Sequence, residues 1–274
     1  MAKLHVNPEK CSSCGQCAED CPPRIIALTP AGPRIPPDQE ASCYSCQHCL
    51  AVCPTGALSI LGLNPGDSQS LAGWQADAQG LETLIKARRS VRRYRDENVD
   101  PALLERLLDV AGHAPTGVNA RQVHLTLVDD REKMARFRAE ALAELGQVVR
   151  NQGLPEGMGR FAEFSRLWEE QGVDVLFRGA PHLLIASAAP QAVTPVPDCM
   201  IALATFDLLA QAHGVGTLWD GIAKAALAEL LPGARRRLGL PADHTLGYVM
   251  VFGPPAVRYA RTVQREALSV HRVA

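Results

Sequence analysis

Eight of the nine cysteines lie between residues 11 and 53, in two runs with the same spacing. Each run reads C-x2-C-x2-C-x3-C-P, and the second is displaced from the first by 32 residues. The runs consist of Cys11, Cys14, Cys17 and Cys21, then Cys43, Cys46, Cys49 and Cys53. A small unit is therefore used twice, and the amino-terminal part of the chain must fold around these thiols.

This spacing predicts two 4Fe–4S clusters. Three thiolates spaced three residues apart reach three corners of one cubane, and in two-cluster sequences of this pattern the fourth cysteine of each run binds the other cluster. We therefore predict one cluster on Cys11, Cys14, Cys17 and Cys53, and a second on Cys43, Cys46, Cys49 and Cys21. Zinc and a disulfide framework are the alternatives, but a zinc ribbon uses only two C-x2-C pairs and four ligands.

Composition excludes several classes of function. The chain has 274 residues, with 28 basic and 29 acidic side chains, so its net charge of −1 drives it neither to nucleic acid nor to an anionic membrane. No run of about 18 apolar residues is present, and the first residues lack the apolar segment of an export signal. We expect a cytoplasmic protein without a membrane partner, since a reducing compartment keeps thiols free.

The chain divides into two parts with different sequence patterns. We predict a two-cluster domain over residues 1–63, a linker over 64–80 rich in turn-forming residues, and a second domain over 81–274. In the second domain, Asp100 and Pro101 open a helix with an apolar stripe. Buried strands are predicted over 123–128, 182–188 and 246–252, and helices over 131–150 and 198–213. The fold class is α+β, with an α/β layer arrangement in the second domain.

Four segments of the second domain carry a recognisable order. Residues 86–95 contain six basic side chains around Ser90, and residues 114–119 read A-P-T-G-V-N. Residues 214–221 read G-V-G-T-L-W-D-G, and Arg258, Arg261 and Arg265 follow near the end. Guanidinium groups suit a phosphate, while hydroxyl, amide and backbone donors suit the polar parts of a flavin.

In this order and spacing the segments resemble the nitroreductase family of flavoproteins, over essentially residues 81–265. Together with the cysteine repeat, the whole chain resembles fusions of a ferredoxin domain with a nitroreductase domain. The resemblance implies a domain-interlocked homodimer with FMN in a groove between subunits. It implies that Arg88, Arg89, Ser90 and Arg92 hold the FMN phosphate and ribityl chain, that Asn119 faces the isoalloxazine, that Asp220 and Gly221 offer backbone groups near the flavin N5, and that Arg261 or Arg265 closes on the phosphate.

The expected function is an FMN-dependent oxidoreductase that passes electrons between two 4Fe–4S clusters and FMN. The expected acceptor is a nitroaromatic, a quinone or an activated alkene, and the donor is either NAD(P)H or an external ferredoxin. Since the cofactors carry the chemistry, no catalytic side chain is expected. Two alternatives stay open: a non-catalytic electron carrier or redox sensor, and a reductive dehalogenase or flavin-ring-cleaving enzyme of the same fold.

Overall fold

The computed structural model describes residues 3–151 and 153–273. It contains two compact units, of which the first comprises the chain up to Ala76 together with Val118–Ala120. The second comprises Asp77–Gly117 and the chain from Arg121 onward. The division between Ala76 and Asp77 falls inside the predicted linker, 64–80. No helix within the described ranges is long and apolar enough to span a membrane.

The first unit is built from short elements that bring the two cysteine runs together. Its helices and strands are β1 (Leu4–Val6), α1 (Gln16–Glu19), β2 (Ala27–Thr29), β3 (Gly32–Arg34), α2 (His48–Ala51) and β4 (Leu58–Ile60). β1 pairs antiparallel with β4, and β2 pairs antiparallel with β3. The core contains Cys17, Cys21 and Cys49 beside Ile26 and Leu58. A core this small depends on its thiols as packing groups.

The second unit is an antiparallel sheet covered by helices on both faces. Its elements are α3 (Ala78–Ala87), α4 (Pro101–Ala111), β5 (Val123–Val128), α5 (Arg131–Asn151), α6 (Arg160–Gln171), β6 (His182–Ala188), α7 (Pro195–Ala212), β7 (Gly216–Trp219), α8 (Gly221–Glu229), α9 (Pro232–Arg237) and β8 (Thr245–Gly253). The strand order is β5-β6-β8-β7. Mixed helix and antiparallel sheet is the predicted α+β class.

Strand β6 lies at the centre of this unit and is buried along its whole length. Its side chains alternate between two cores, as successive residues of a strand must. Leu183 and Ile185 enter the core that contains α5, α6 and α8 residues. Leu184 and Ala186 enter the core that contains α4 and α7 residues. A strand buried on both faces reads as a continuous apolar run, which explains why its predicted bounds match the structure.

Local signals fix two helices that position the site. The Asp100 carboxylate accepts a hydrogen bond from the Leu103 N–H at 2.9 Å, and Pro101 occupies the first position of α4. The chain reverses after α7 at Gly214, whose φ of 75° favours glycine. The sequence patterns predicted α5 and α7 within three residues, whereas α3, α6, α8 and α9 were not predicted.

Candidate functional site

The first thiol group lines a small cavity in the first unit. Cys11, Cys14 and Cys17 from one run meet Cys53 from the other, and Leu28 and Leu58 contribute apolar walls. Ser13 and Gly15 have left-handed backbones, with φ of 56° and 79°, which curl the loop around the cavity. Four thiols converge from both runs, and all are free of disulfides. This donor set fits a cluster that binds four thiolates.

The second thiol group contains Cys21, Cys43, Cys46 and Cys49. Burial, together with the charges of Cys46, Cys21 and Cys43, raises the pKa of the Cys49 thiol to about 11, against the opposing effect of the Leu50 backbone bond. These three neighbours are the remaining members of the second predicted set. Among the described residues, no three His, Cys, Asp or Glu side chains converge closely enough for one metal ion.

The Cys53 and Cys43 sulfurs accept hydrogen bonds. The Cys53 sulfur accepts from the Ala57 N–H at 3.3 Å and lies 3.7 Å from the Thr55 hydroxyl. Burial would raise the pKa of this thiol, but the bonds from Ala57 and Thr55 outweigh burial and lower it. The Cys43 sulfur accepts from the Ser45 N–H at 3.4 Å. Such donors stabilise the thiolate form that ligates metal.

In the second unit, the basic segment runs beside strand β7. Ser90 forms a parallel bridge with Thr217, and the Val91 N–H donates to the Thr217 carbonyl at 2.9 Å. The Gln211 amide donates to the Arg89 carbonyl at 3.2 Å. Because β7 is held by β8, these bonds fix the backbone of the predicted phosphate-binding residues on a rigid sheet edge.

Asp207 connects this segment to α7 and β7. Its carboxylate accepts a hydrogen bond from the Trp219 indole N–H at 2.9 Å and another from the Thr217 hydroxyl. Arg88 lies 3.6 Å from the same carboxylate, at ion-pair distance, and its Nη1 is buried without a hydrogen-bond partner among the described residues. This Nη1 is the atom that faces the Asp207 carboxylate, so it has a charge partner but no hydrogen bond, and a phosphate beside Ser90 and Arg92 would supply the missing acceptor.

Asp220 and Gly221 lie where β7 meets α8. The Asp220 N–H donates to the Val249 carbonyl at 2.9 Å, and its carbonyl accepts from the Lys224 N–H at 3.0 Å, so both backbone groups are engaged. Gly221 begins α8, and its N–H therefore has no acceptor within the helix. Gly221 is exposed and is the better placed of the two to offer a backbone donor.

The Asp220 side chain caps α8 through a bond from the Ala223 N–H to Oδ1 at 2.9 Å. Its other oxygen, Oδ2, is buried without a partner in the part of the chain that the structure describes. Burial raises the pKa of this carboxyl to about 7; the Ala223 bond and Arg178 oppose the rise, and Asp174 adds to it. A carboxyl with this pKa changes its charge near neutral pH.

The remaining predicted residues are Arg261, Arg265 and Asn119. Arg261 and Arg265 are exposed, in a segment after β8 without helix or strand, and form no hydrogen bond or ion pair with another described residue. Tyr259, from the same segment, lies 3.5 Å from the Ser90 carbonyl through its hydroxyl. Asn119 groups with the first unit, where its side-chain amide donates to the Tyr44 carbonyl at 3.0 Å.

Sequence reasoning missed Asp207, Gln211 and Tyr259. The α7 sequence reads as a uniformly apolar helix, and its two carboxylates, Asp198 and Asp207, are both buried. A charged residue inside an apolar helix is the signal that identifies such positions, because buried carboxylates require partners. Asp198 binds the Gly117 N–H at 3.1 Å and the Thr194 hydroxyl at 2.8 Å.

Comparison with known proteins identifies both regions. The model of the nitroreductase family matches residues 85–254, which is more than half of the chain, and a model described as a 4Fe-4S dicluster domain matches residues 10–57. Nitroreductase NfnB of Mycolicibacterium smegmatis is 31% identical over 163 residues, covering 51% of this chain and 70% of the relative.

Two further similarities are informative. An uncharacterised ferredoxin of Methanocaldococcus jannaschii is 37% identical over 65 residues, covering 23% of this chain and 83% of the relative. A crystal structure of a nitroreductase with bound FMN from Desulfitobacterium hafniense is 26% identical, with a TM-score of 0.53. It covers 70% of this chain and 98% of that chain.

Proposed function

Because the chain belongs to the nitroreductase family and is an oxidoreductase with a 4Fe–4S ferredoxin domain, we propose that it passes electrons between two clusters and FMN to reduce a small organic acceptor. The observation that carries the proposal is the presence, in one chain, of a cavity lined by four thiols and of a basic segment around Ser90 that is held beside β7 of a nitroreductase fold. The FMN of the related Desulfitobacterium hafniense nitroreductase supports the choice of flavin.

FMN supplies the conversion between one-electron and two-electron transfer when it is bound. The chain's own residues bind and orient it. We assign Arg88, Arg89, Ser90 and Arg92 to the phosphate and ribityl chain, and the buried Nη1 of Arg88 supports this assignment. Arg261 or Arg265 would add positive charge at the phosphate. Asn119 would face the isoalloxazine, and Gly221, with Asp220 beside it, would offer the backbone donor near N5.

We assign the cluster ligands as two crossed sets. Cys11, Cys14, Cys17 and Cys53 would bind one cluster, and Cys43, Cys46, Cys49 and Cys21 the other. The cavity lined by the first four thiols supports the first set, and the charges that act on Cys49 support the second. Each cluster carries one electron, so two clusters can supply the two electrons that a quinone takes up with two protons.

The donor is either NAD(P)H or an external low-potential ferredoxin, and the acceptor is a nitroaromatic, a quinone or an activated alkene.

We propose that the chain functions as a homodimer. Helix α7 is mostly apolar, its two carboxylates are buried, and Met200 and Ile201 on its surface are 42% and 39% exposed. An apolar helix with exposed large side chains is typical of a subunit interface. A reducing cytoplasm suits the free thiols.

Anaerobic purification followed by chemical analysis tests the proposal. We expect about eight iron atoms per chain, as two 4Fe–4S clusters require, together with one FMN. Addition of NADH, NADPH or reduced ferredoxin should bleach both absorbances, and a quinone or nitroaromatic compound should restore them. Clusters without extractable flavin would contradict the proposal and indicate an electron carrier. Analysis of the products would distinguish reductive dehalogenation or flavin-ring cleavage from the proposed reduction of a quinone or nitroaromatic compound.

A further inference from the structure

The two cysteine runs are equivalent in spacing but differ in one residue that reaches a cluster sulfur. Thr55 follows Cys53 by two residues, and the 32-residue displacement puts Pro23 at the same position after Cys21. Both segments continue in the same way, because the Gly56 N–H donates to the Cys53 carbonyl and the Arg24 N–H donates to the Cys21 carbonyl. The two fourth ligands therefore share a local fold and differ in the available donors.

Cys53 has donors that Cys21 lacks. Thr55 Oγ1 lies 3.7 Å from the Cys53 sulfur, and the Ala57 N–H donates to that sulfur at 3.3 Å. A ligating thiolate has no proton, so the hydroxyl must be the donor. Pro23 has neither a hydroxyl nor an N–H, and no described residue donates a hydrogen bond to the Cys21 sulfur. No change of side-chain conformation can restore this donor.

The other sulfur bond does not offset the difference. The Ser45 N–H donates to the Cys43 sulfur at 3.4 Å, and Ser13 occupies the equivalent position before Cys14. Ser13 and Ser45 share a left-handed backbone, with φ of 56° and 52°. The two loops therefore share a backbone shape, but of these two N–H groups only that of Ser45 donates to a sulfur, so the Cys43 sulfur has one such bond where the Cys53 sulfur has two. Thr55 against Pro23 is the difference that a side-chain substitution can test.

Burial acts in the same direction as the hydrogen bonds. In the set with Cys53, only Cys17 is buried and Cys14 is exposed. In the set with Cys21, both Cys21 and Cys49 are buried. Reduction adds one negative charge to a cluster, and that charge is less stable where water is excluded. Hydrogen bonds to sulfur and solvent exposure are two of the factors that set cluster potential.

We propose that the cluster bound through Cys53 has the higher reduction potential and takes the first electron, and that Thr55 tunes this order. The proposal rests on the proposed function, since it requires that Cys53 and Cys21 ligate different 4Fe–4S clusters. Each cluster takes one electron from a low-potential one-electron donor, and no bond to a ligand forms or breaks. An electron that enters the chain first therefore resides on the Cys53 cluster until a second arrives.

A redox titration of the full chain, followed by the paramagnetic signal of the reduced clusters, tests this order. Wild-type protein should give two midpoints. Thr55→Val removes the hydroxyl and keeps the shape, so the higher midpoint should move to a more negative potential while the lower one stays. The loss is on the order of tenfold in the ratio of reduced to oxidised cluster, which is about 59 mV for one electron. Thr55→Ser should restore the wild-type midpoint.

Two further variants make the test specific. Thr29→Val is the matched control, because the Thr29 hydroxyl donates to the Gly32 carbonyl and not to a sulfur. It should leave both midpoints unchanged. Pro23→Thr supplies the missing donor at Cys21 and should raise the lower midpoint. This variant also serves if Thr55→Val assembles poorly.

The outcomes separate the inference from the proposed function. Three results would overturn the inference. They are a shift of the lower midpoint in Thr55→Val, the absence of a shift in both Thr55→Val and Pro23→Thr, and a shift in Thr29→Val equal to that in Thr55→Val. Wild-type protein with fewer than two clusters per chain would instead overturn the proposed function. Two clusters with the expected selective shifts support both.

Discussion

The two regions of the chain assemble their sites over very different sequence distances. In the first unit, each proposed ligand set draws on cysteines within about forty residues, from two copies of one short pattern. In the second unit, Arg88 meets Asp207, Ser90 pairs with Thr217, and Tyr259 approaches Ser90 from the opposite end of the domain. A local site depends on loop geometry, whereas a distributed site depends on the sheet and helices that bring its parts together.

This difference has an energetic consequence. The thiols of the first unit are part of a small core, so replacement of one of them removes core packing together with a proposed cluster ligand. The basic segment of the second unit is held by backbone bonds to β7, which is itself part of a larger sheet. Side chains can therefore be changed there while the backbone stays in place.

The largest expected effect is the loss of one complete cluster in Cys21→Ala. The crossed ligand sets predict that the cluster with Cys43, Cys46 and Cys49 is affected, although Cys21 belongs to the run that begins at Cys11. Iron should fall to about half of the wild-type content. Paramagnetic resonance of the reduced variant should retain the signal of the Cys53 cluster. Retention of the Cys43 cluster with loss of the Cys11 cluster would show that each run binds its own cluster. Cys199→Ala, which removes the ninth cysteine, is the control.

The next effect concerns FMN. Arg88→Ala combined with Arg92→Ala removes two charged donors, each worth about 1.5 kcal/mol, so FMN should bind about a hundredfold more weakly. Equilibrium dialysis measures the change, and the cluster spectrum should be unaltered. Arg93→Ala, an exposed neighbour in the same segment, should bind FMN normally. Stoichiometric FMN in the double variant would contradict the phosphate assignment.

The Asp220 carboxyl predicts a pH dependence confined to the second unit. Its pKa of about 7 lies above the unfolded value, so the folded state holds a proton that the unfolded state releases. Stability from this group is complete at low pH and is lost as the pH rises towards 7. Asp220→Asn keeps the helix cap and cannot ionise. The unfolding free energy of the variant minus that of wild type should therefore increase by about 2.5 kcal/mol from pH 5 to pH 8.

Urea unfolding across this pH range provides the measurement. Asp109→Asn changes an exposed carboxylate on α4, and its unfolding free energy should follow the same pH dependence as that of wild type. A constant difference between wild type and Asp220→Asn at every pH would mean that Asp220 is ionised throughout.

The smallest expected effect is that of Asp207→Asn. The amide keeps one acceptor oxygen but cannot accept both the Thr217 and the Trp219 bonds, so one buried donor loses its partner. We expect a loss of about 2 kcal/mol in unfolding free energy, together with weaker FMN binding because Arg88 loses its ion pair. Calorimetry and FMN titration report the two effects. Unchanged FMN affinity with reduced stability would restrict Asp207 to a structural role.

The same contrast explains what the sequence could predict. Cysteine spacing specified a complete candidate ligand set, because all its members lie in one repeated pattern. Strands 123–128 and 182–188 were predicted within their observed bounds, since each is a short apolar run with β-branched residues. Asp207 was not predicted as part of the site, because its role depends on Arg88, more than a hundred residues away.

The sequence also could not predict which polar groups are already engaged in hydrogen bonds. The motif W-D-G indicated both Asp220 and Gly221, but only the strand pairing with β8 engages the Asp220 N–H. Asn119 matched the expected motif, yet its amide donates to the Tyr44 carbonyl in the first unit. Contacts of this kind depend on tertiary structure and leave no periodic signal in the chain.

The central claim is that electrons move between the clusters and FMN within this protein. The most direct measurement reduces the clusters fully, adds a quinone anaerobically and follows the cluster signal by rapid-freeze paramagnetic resonance. In the FMN-loaded protein the signal should decay as quickly as the quinone is reduced. In the FMN-free Arg88→Ala, Arg92→Ala variant the clusters should stay reduced over the same time. Equal decay in the two proteins, or clusters that stay reduced while the loaded protein turns over, would contradict the account.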